Sequence, residues 1–465
     1  MKSEISPSVD SSVSNKGIWH EARALLWLAA PLIVSQFAQM GMNFTDTVMA
    51  GRHAEASLAG VAIGSSLWVP CFLLLVGILM ATTPIIAQAW GAGNKADINH
   101  SVQQAMWLAL VTGLLMLVVL QALVAVFDQI QMEVQTREQA RGYVIAVSTG
   151  LPALAFFQVL RGLNEGAHLT RTYMYVSIVA VIINVPLNYI FIYGKLGLPE
   201  MGGAGCGWAT SLVLWLELLM MLLLSIKHPA LAAVRWYTGW RLPEREKILE
   251  LLKLGLPIGI ALLIESSMFA LIALFLAGEG ATVVAGHQVA MSVISLLFMV
   301  PLSLSMAMTI RCGYCLGKAQ PQRARYIGFI GIVFTLCAAA FFSLLMLLAA
   351  EPIASLYTTS DEVKSLAVQL LFLAAIFQFS DAVQVSAAGA LRGYKDTRFA
   401  FIVVLIAYWG VGLPLGYSLG LTELWGVRQG AQGFWVGLIA GLGLASVLLA
   451  GRYNYVSRRA IRLKE

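Results

Sequence analysis

The sequence predicts an all-α polytopic membrane protein, with twelve transmembrane helices in two six-helix lobes related by pseudo-twofold symmetry along the membrane normal. Three observations carry this. The 465 residues are 59% hydrophobic and 12% charged, with a mean hydropathy of +0.79, whereas a soluble domain carries roughly 25% charge. Apolar runs of about 20 residues, long enough to cross a ~30 Å hydrocarbon core, recur from end to end. Residues of the first half also return in the second half at a nearly fixed offset of 226 positions.

In chain order, spans are expected at 25–49, 58–89, 105–127, 143–163, 173–193, 205–226, 254–278, 282–310, 327–350, 363–390, 399–421 and 434–450. Long, continuously apolar runs favour helices over a barrel, whose strands would alternate in polarity. Residues 1–19 are polar and Ser-rich, without the apolar centre of a cleavable signal peptide, and are expected to be a disordered cytoplasmic tail. An N-lobe over 20–226, a charged cytoplasmic linker over 227–253, a C-lobe over 254–453 and a basic tail over 454–465 complete the division.

Charge sets the orientation. With both termini in the cytoplasm, 24 Lys and Arg fall on the cytoplasmic side and 6 outside, the bias expected of a multi-pass protein. The net charge of +6 is therefore topology and contact with membrane lipids, and nucleic acid is not an expected partner. The alternation also supports an even number of spans.

The repeat is ordered. Pro31 pairs with Pro257, Ala59-Gly60 with Ala285-Gly286, Thr83 with Thr309, Gly91 with Gly317 and Gln158-Val159 with Gln384-Val385, all 226 apart. Gly166 and Thr170-Arg171 pair with Gly393 and Thr397-Arg398 at 227, and Pro186-Leu187 with Pro414-Leu415 at 228. Six spans return each half to its starting side, so the halves share one orientation and the substrate path is expected between them.

Carboxylates in a membrane core cost several kcal/mol or are neutralised. Asp46, Glu265 and Asp381 fall inside spans 1, 7 and 10. At an offset of 226 they face Ile272, Gln39 and Ala155, so the acids break a symmetry that the scaffold keeps. Polar residues accompany them at helical spacing: Gln36, Gln39 and Asn43 before Asp46; Gln378 and Gln384 around Asp381; Gln288, Ser292 and Ser295 in span 8. These stripes line a wet cavity or form interhelical hydrogen bonds worth about 0.6 kcal/mol each. Glu217 in span 6 has no polar companion one turn away; it is partnered across helices or lies at a water-filled edge. Pro31 and Pro257 sit one to two turns into spans 1 and 7 and act as hinges or as static kinks.

Other classes are disfavoured. The chain has no GxxxxGK[ST], no HExxH and no cluster among His20, His53, His100, His168, His228 and His287, so neither an enzyme, an ATP-driven pump nor a cofactor is expected. Cys71, Cys206, Cys312, Cys315 and Cys337 lie mostly in apolar runs and suit helix packing better than a disulfide framework. Nothing calls for more than a monomer.

The stretches FTDTVMAG (44–51), PIIAQAWGAG (84–93), VPLNYIFIYGKLGLPEMGGAGCGWAT (185–210), AGHQVA (285–290), LRGYKDT (391–397) and the QGFW ending at Trp435 resemble the multidrug and toxic compound extrusion (MATE) family, in particular its NorM-like branch, over nearly the whole chain. The resemblance implies a V-shaped pair of lobes in the bacterial cytoplasmic (inner) membrane, exchanging inward-moving Na⁺ or H⁺ for outward-moving amphipathic, often cationic, molecules. It implies that Asp46, Glu265 and Asp381 are the ion- and substrate-linked carboxylates, with Na⁺ held at Glu265 and Asp381 where Na⁺ is the ion. Asn184 and Asn188 resemble polar lining of the N-lobe cavity, or satisfy a helix–helix hydrogen bond. Phe377 stands where many NorM-like chains have Tyr, and Asn43 where Gly is common. A lipid-linked oligosaccharide flippase of the same superfamily is the alternative. It would be expected to line its cavity with several basic residues, and none is expected deep in a span here.

Overall fold

The computed structural model describes residues 15–464 except 130, 425 and 427; the tail expected to be disordered lies mostly outside them. The N-half holds α1 (Asn15–His53), α2 (Glu55–Leu79), α3 (Thr82–Gly91), α4 (Lys95–Leu123), α5 (Val134–Ser148), α6 (Leu151–Gly166), α7 (Thr170–Ile192) and α8 (Gly203–Lys227). After the short α9 (Pro229–Ala232), the C-half holds α10 (Arg245–Ala277), α11 (Ala281–Gly317), α12 (Pro321–Leu348), α13 (Ala350–Tyr357), α14 (Asp361–Gly393), α15 (Thr397–Val404), α16 (Leu413–Leu421) and α17 (Ala431–Arg462). Among the described residues, eleven helical segments are long and apolar enough to cross a membrane, and the bent pair α5–α6 makes a twelfth. The chain is a multi-pass membrane protein.

Three expected spans break, bend or widen beside a proline. Span 2 breaks at Met80 and Ala81, just before Pro84. Span 4 bends by 43° between Ser148 and Leu151, where Gly150 and Pro152 meet. Span 11 widens to a π-helix over Leu405–Gly412, ahead of Pro414. A proline ring collides with the carbonyl one turn back and supplies no donor, so the helix yields on its N-terminal side. Conversely, α1 and α10 run uninterrupted through Pro31 and Pro257. The expected linker is shorter than 227–253, because α10 already begins at Arg245. The basic C-terminal stretch is helical to Arg462 as the end of α17.

Each half packs on itself. In the first, α1 lies on α7, α2 on α5, and α8 on α5 and α7; in the second, α14 packs on α11, α12 and α17. The lobes meet along α1–α11, α2–α10 and α3–α11. The symmetry is visible residue by residue: a Cβ on Gly91 would strike the Tyr314 carbonyl, and one on Gly317 the Gln88 carbonyl, and Gln88 and Tyr314 are themselves 226 apart. Gly77 meets Gly259 just as closely. These contacts lie in the half of the bundle that carries the linker, here called the linker end. There Gln88 also donates to the Gly393 carbonyl at 2.9 Å, and Glu21 of α1 pairs with Arg311 at 3.0 Å and with Arg323.

Candidate functional site

In the N-lobe, α1, α7 and α8 converge on Asp46. Asn184 and Asn188, one turn apart on α7, donate to its Oδ1 at 3.1 and 2.6 Å, and Thr210 of α8 donates to Oδ2 at 3.1 Å. Asp46 is 9% exposed. The two asparagines thus make an interhelical contact to the expected functional acid, although the Asn188 Oδ1 itself has no partner. A carboxylate accepting three such bonds recovers part of the hydration it has lost. Asn43 is exposed and outside this cluster, and Gln36 lines none of the cavities described here. Gln39 instead donates to Glu217 at 3.4 Å, so Glu217 is partnered across helices, with Oε2 left without a partner.

The C-lobe is built differently. Glu265 of α10 and Asp381 of α14 face a cavity of about 160 Å³ otherwise lined by Phe269, Met291, Ile294, Ser295, Phe298, Met299 and Phe377. Apart from the two acids, Ser295 is the polar side chain in that lining. Phe377 packs edge-on against Trp435, whose indole donates to His287 at 3.3 Å. His287 is thereby a packing partner of the cavity wall. Gln378 is buried with both amide atoms unpartnered; Gln384 is buried outside the cavity lining.

Between the lobes, Met40 of α1 faces Phe269, His287, Gln288, Met291, Ser292 and Ser295 across a cleft of about 350 Å³. The span 8 stripe therefore faces this cleft. Met40 and Met291 belong to its lining; such flexible, polarizable side chains fit varied shapes. The cleft occupies the half of the bundle away from the linker end, whose lobes are in contact.

Sequence reasoning missed three groups. Tyr408, in the π-helical stretch, is fully buried beside Glu265 and Asp381, its hydroxyl without a hydrogen bond of normal geometry. A phenol in an apolar run carries no periodic signal, and the π-turn that aims it is tertiary. Thr210 belongs to a stretch noted only for resemblance. The third group lies at span ends, where basic residues were expected, but is covered by the facing lobe. Arg161, buried, and Arg392, partly buried with its Nε enclosed, line a small interlobe space with Glu165, Gln158, Thr83 and Thr309. Arg161 holds Glu165 at 2.6 Å and lies 3.9 Å from the centre of the Tyr173 ring; Arg392 donates to Ser305 at 2.7 Å and is within electrostatic reach of Glu165 and Glu265. Glu165 and Arg392 are 227 apart, equivalent positions with opposite charge. Helical spacing alone could not reveal that these span ends fold back between the lobes.

The MatE family model matches the chain twice, over residues 31–190 and 257–418, with the same 226-residue offset between the two starts. The multidrug resistance protein PmpM of Pseudomonas aeruginosa is 44% identical, covering 96% of this chain and 94% of that protein. The multidrug resistance protein NorM of Aliivibrio fischeri is 42% identical, covering 94% and 95%. The structure of the MATE transporter NorM-NG, solved in complex with a monobody, superposes with a TM-score of 0.80 at 32% identity, covering 93% of this chain and 94% of that one. The eukaryotic MATE transporter AtDTX14 reaches 0.85 at 19% identity over 97% of this chain and all of that one, a likeness of fold. With a family model on both halves and relatives this similar over nearly its whole length, the chain belongs to the MatE family, the MATE transporters.

Proposed function

We propose that this protein is a secondary active multidrug efflux transporter of the cytoplasmic membrane, with both termini inside. It exchanges an inward-moving cation for outward-moving amphipathic, often cationic, molecules by alternating access. The observation that carries the reading is the pair of carboxyls, Glu265 and Asp381, in an apolar C-lobe cavity beside a Met- and Phe-lined interlobe cleft. Relatives named as multidrug resistance proteins support it.

Two carboxylates facing an apolar wall cannot both stay ionised and alone without a large electrostatic cost. A proton, a sodium ion or a cationic cargo each removes that cost, so ion and cargo compete for the same groups. Exchange then needs only that each favours a different facing state. A membrane voltage of 100 mV supplies about 2.3 kcal/mol per inward charge. Phe377 stands where a hydroxyl would add an oxygen, and beyond the two acids the nearby oxygens are those of Ser295 and the buried Tyr408; the missing hydroxyl at 377 favours a proton over sodium, which seeks several oxygens. With the linker on the cytoplasmic side, closure of the linker end by Glu21–Arg311 and the glycine contacts supports an outward-facing reading of this state.

A flippase for a pyrophosphate-linked lipid would want free cations in its cavity. Arg161 is held by Glu165, and Arg392 faces two carboxylates, so neither is free. Efflux of a cationic dye from inverted vesicles, under an imposed pH gradient and then an imposed Na⁺ gradient, tests the proposal. Dye movement under the pH gradient is expected; movement under neither gradient would overturn the exchange.

A further inference from the structure

The segment joining the lobes is not a loose tether. Asn99, Gln103, Gln104 and Trp107, on one face of α4, hold its backbone. Asn99 donates to the Arg235 carbonyl at 2.8 Å, Gln103 to that of Thr238 at 2.9 Å, Gln104 to that of Leu242 at 3.0 Å and Trp107 to that of Arg241 at 3.0 Å. The amide oxygens accept in return: Gln103 from the Arg241 N–H at 3.1 Å, Gln104 from the Glu244 N–H at 2.7 Å. Between the docked segment and the start of α4 lies an open cavity of about 390 Å³ whose lining includes Lys95, Arg235 and Arg241 but no acidic side chain. None of these three cations pairs with a carboxylate among the described residues. Two acids close in sequence to these cations are paired elsewhere, Asp97 with Lys247 at 2.9 Å and Glu244 with His100 at 3.0 Å.

The cavity opens at the foot of an apolar surface. Above Trp107, the residues Val111, Leu114, Leu115 and Val118 of α4 are each about half exposed or more, and Trp240 and Leu242 stand out beside the basic rim. Steps of three, one and three place these α4 residues on one side of the helix, the side turned to lipid. Cations below, an indole at the boundary and an alkyl-compatible face above match the order of groups along a phospholipid. We propose that this cavity binds the phosphodiester headgroup of an anionic phospholipid, whose acyl chains lie along α4. Arg235 and Arg241 supply planar donor pairs suited to phosphate oxygens, and Lys95 a third charge. A soluble phosphate would gain nothing from the apolar face. Because the linker must follow any motion between lobes, a lipid held here ties that motion to membrane composition.

The test is native mass spectrometry of the full-length protein, measuring retained phosphatidylglycerol against phosphatidylcholine. The double variant Arg235→Gln/Arg241→Gln is compared with Arg458→Gln/Arg459→Gln, which removes equal charge from exposed positions on α17. Wild type is expected to prefer phosphatidylglycerol; the linker variant should lose about 25-fold of that preference, at roughly fivefold per charge, and the α17 variant should keep it. Equal losses in both variants would mean diffuse attraction, and displacement of the lipid by millimolar glycerol phosphate would mean a soluble anion site; either overturns the proposal.

Discussion

The two lobes share a scaffold and differ in how they keep a carboxyl away from water. In the N-lobe, Asp46 is surrounded by donors from two helices, Asn184, Asn188 and Thr210, and a second acid, Glu217, is met by Gln39. In the C-lobe, the cavity that Glu265 and Asp381 face is apolar but for one serine, with Tyr408 buried beside them and Arg392 within electrostatic reach of Glu265. Gln39 and Glu265 are equivalent positions, so the same place carries an amide that steadies an acid in one lobe and the acid itself in the other. The helices differ too. The N-lobe breaks its second and fourth spans, while the equivalents α11 and α14 run unbroken. A charge already solvated by fixed amides has less need of a partner, whereas one facing an apolar wall is poised to take up a cation. On the proposed exchange mechanism, the difference would place the coupling step in the C-lobe and give Asp46 a supporting role.

That contrast can be broken by substitution. The largest effect is expected from Asp381→Asn: dye exchange in inverted vesicles should fall at least about 50-fold, the loss of roughly one charge's worth of driving energy at 100 mV. Wild-type efflux by that variant would defeat the assignment of the C-lobe acids. Asn188→Ala should come next. It removes the 2.6 Å bond to Asp46, and a hydrogen bond to a charged group is worth about 1.5–3 kcal/mol, so transport should drop roughly tenfold; an unchanged rate would show that the amides around Asp46 are packing and no more. Phe377→Tyr adds a hydroxyl in the cavity lining and should sharpen the comparison of ions, giving a few-fold gain in Na⁺-driven over pH-driven exchange, on the scale of one added oxygen ligand. If the two gradients respond alike, oxygen number is not what selects the ion. The smallest effect is expected at Pro31. Proline there leaves the Trp27 carbonyl without its helical donor, and Pro31→Ala should lower transport while leaving the amount of protein in the membrane intact. Full transport would assign Pro31 a static role, in keeping with the unbroken α1.

Much of the molecule was legible because the bilayer simplifies the code. Span length, the Lys and Arg bias and the 226-residue offset each follow from constraints that act locally or on the whole chain, and the equivalence of Gly91 and Gly317 is matched by their reciprocal meetings with Tyr314 and Gln88. The acids stood out because ionisation in hydrocarbon is costly wherever it occurs. Their surroundings did not. The partners of Asp46 come from positions 138 to 164 residues away, and Tyr408 is aimed by a π-turn that hydropathy does not register. Arg161 and Arg392 read as span ends because sequence gives their depth along a helix and not the lobe that covers them.

By itself, then, the sequence determined the class, the number of crossings, the duplicated plan and the three acids, all consequences of single-residue transfer energies summed along the chain. Tertiary structure alone decided that Asp46 is held by amides while Glu265 and Asp381 face a cavity, that the lobes touch at the linker end, and that the linker is docked on α4. Those outcomes depend on which side chains meet across distant helices, and hydrogen bonding and packing between them carry no trace in the periodicity of any one helix.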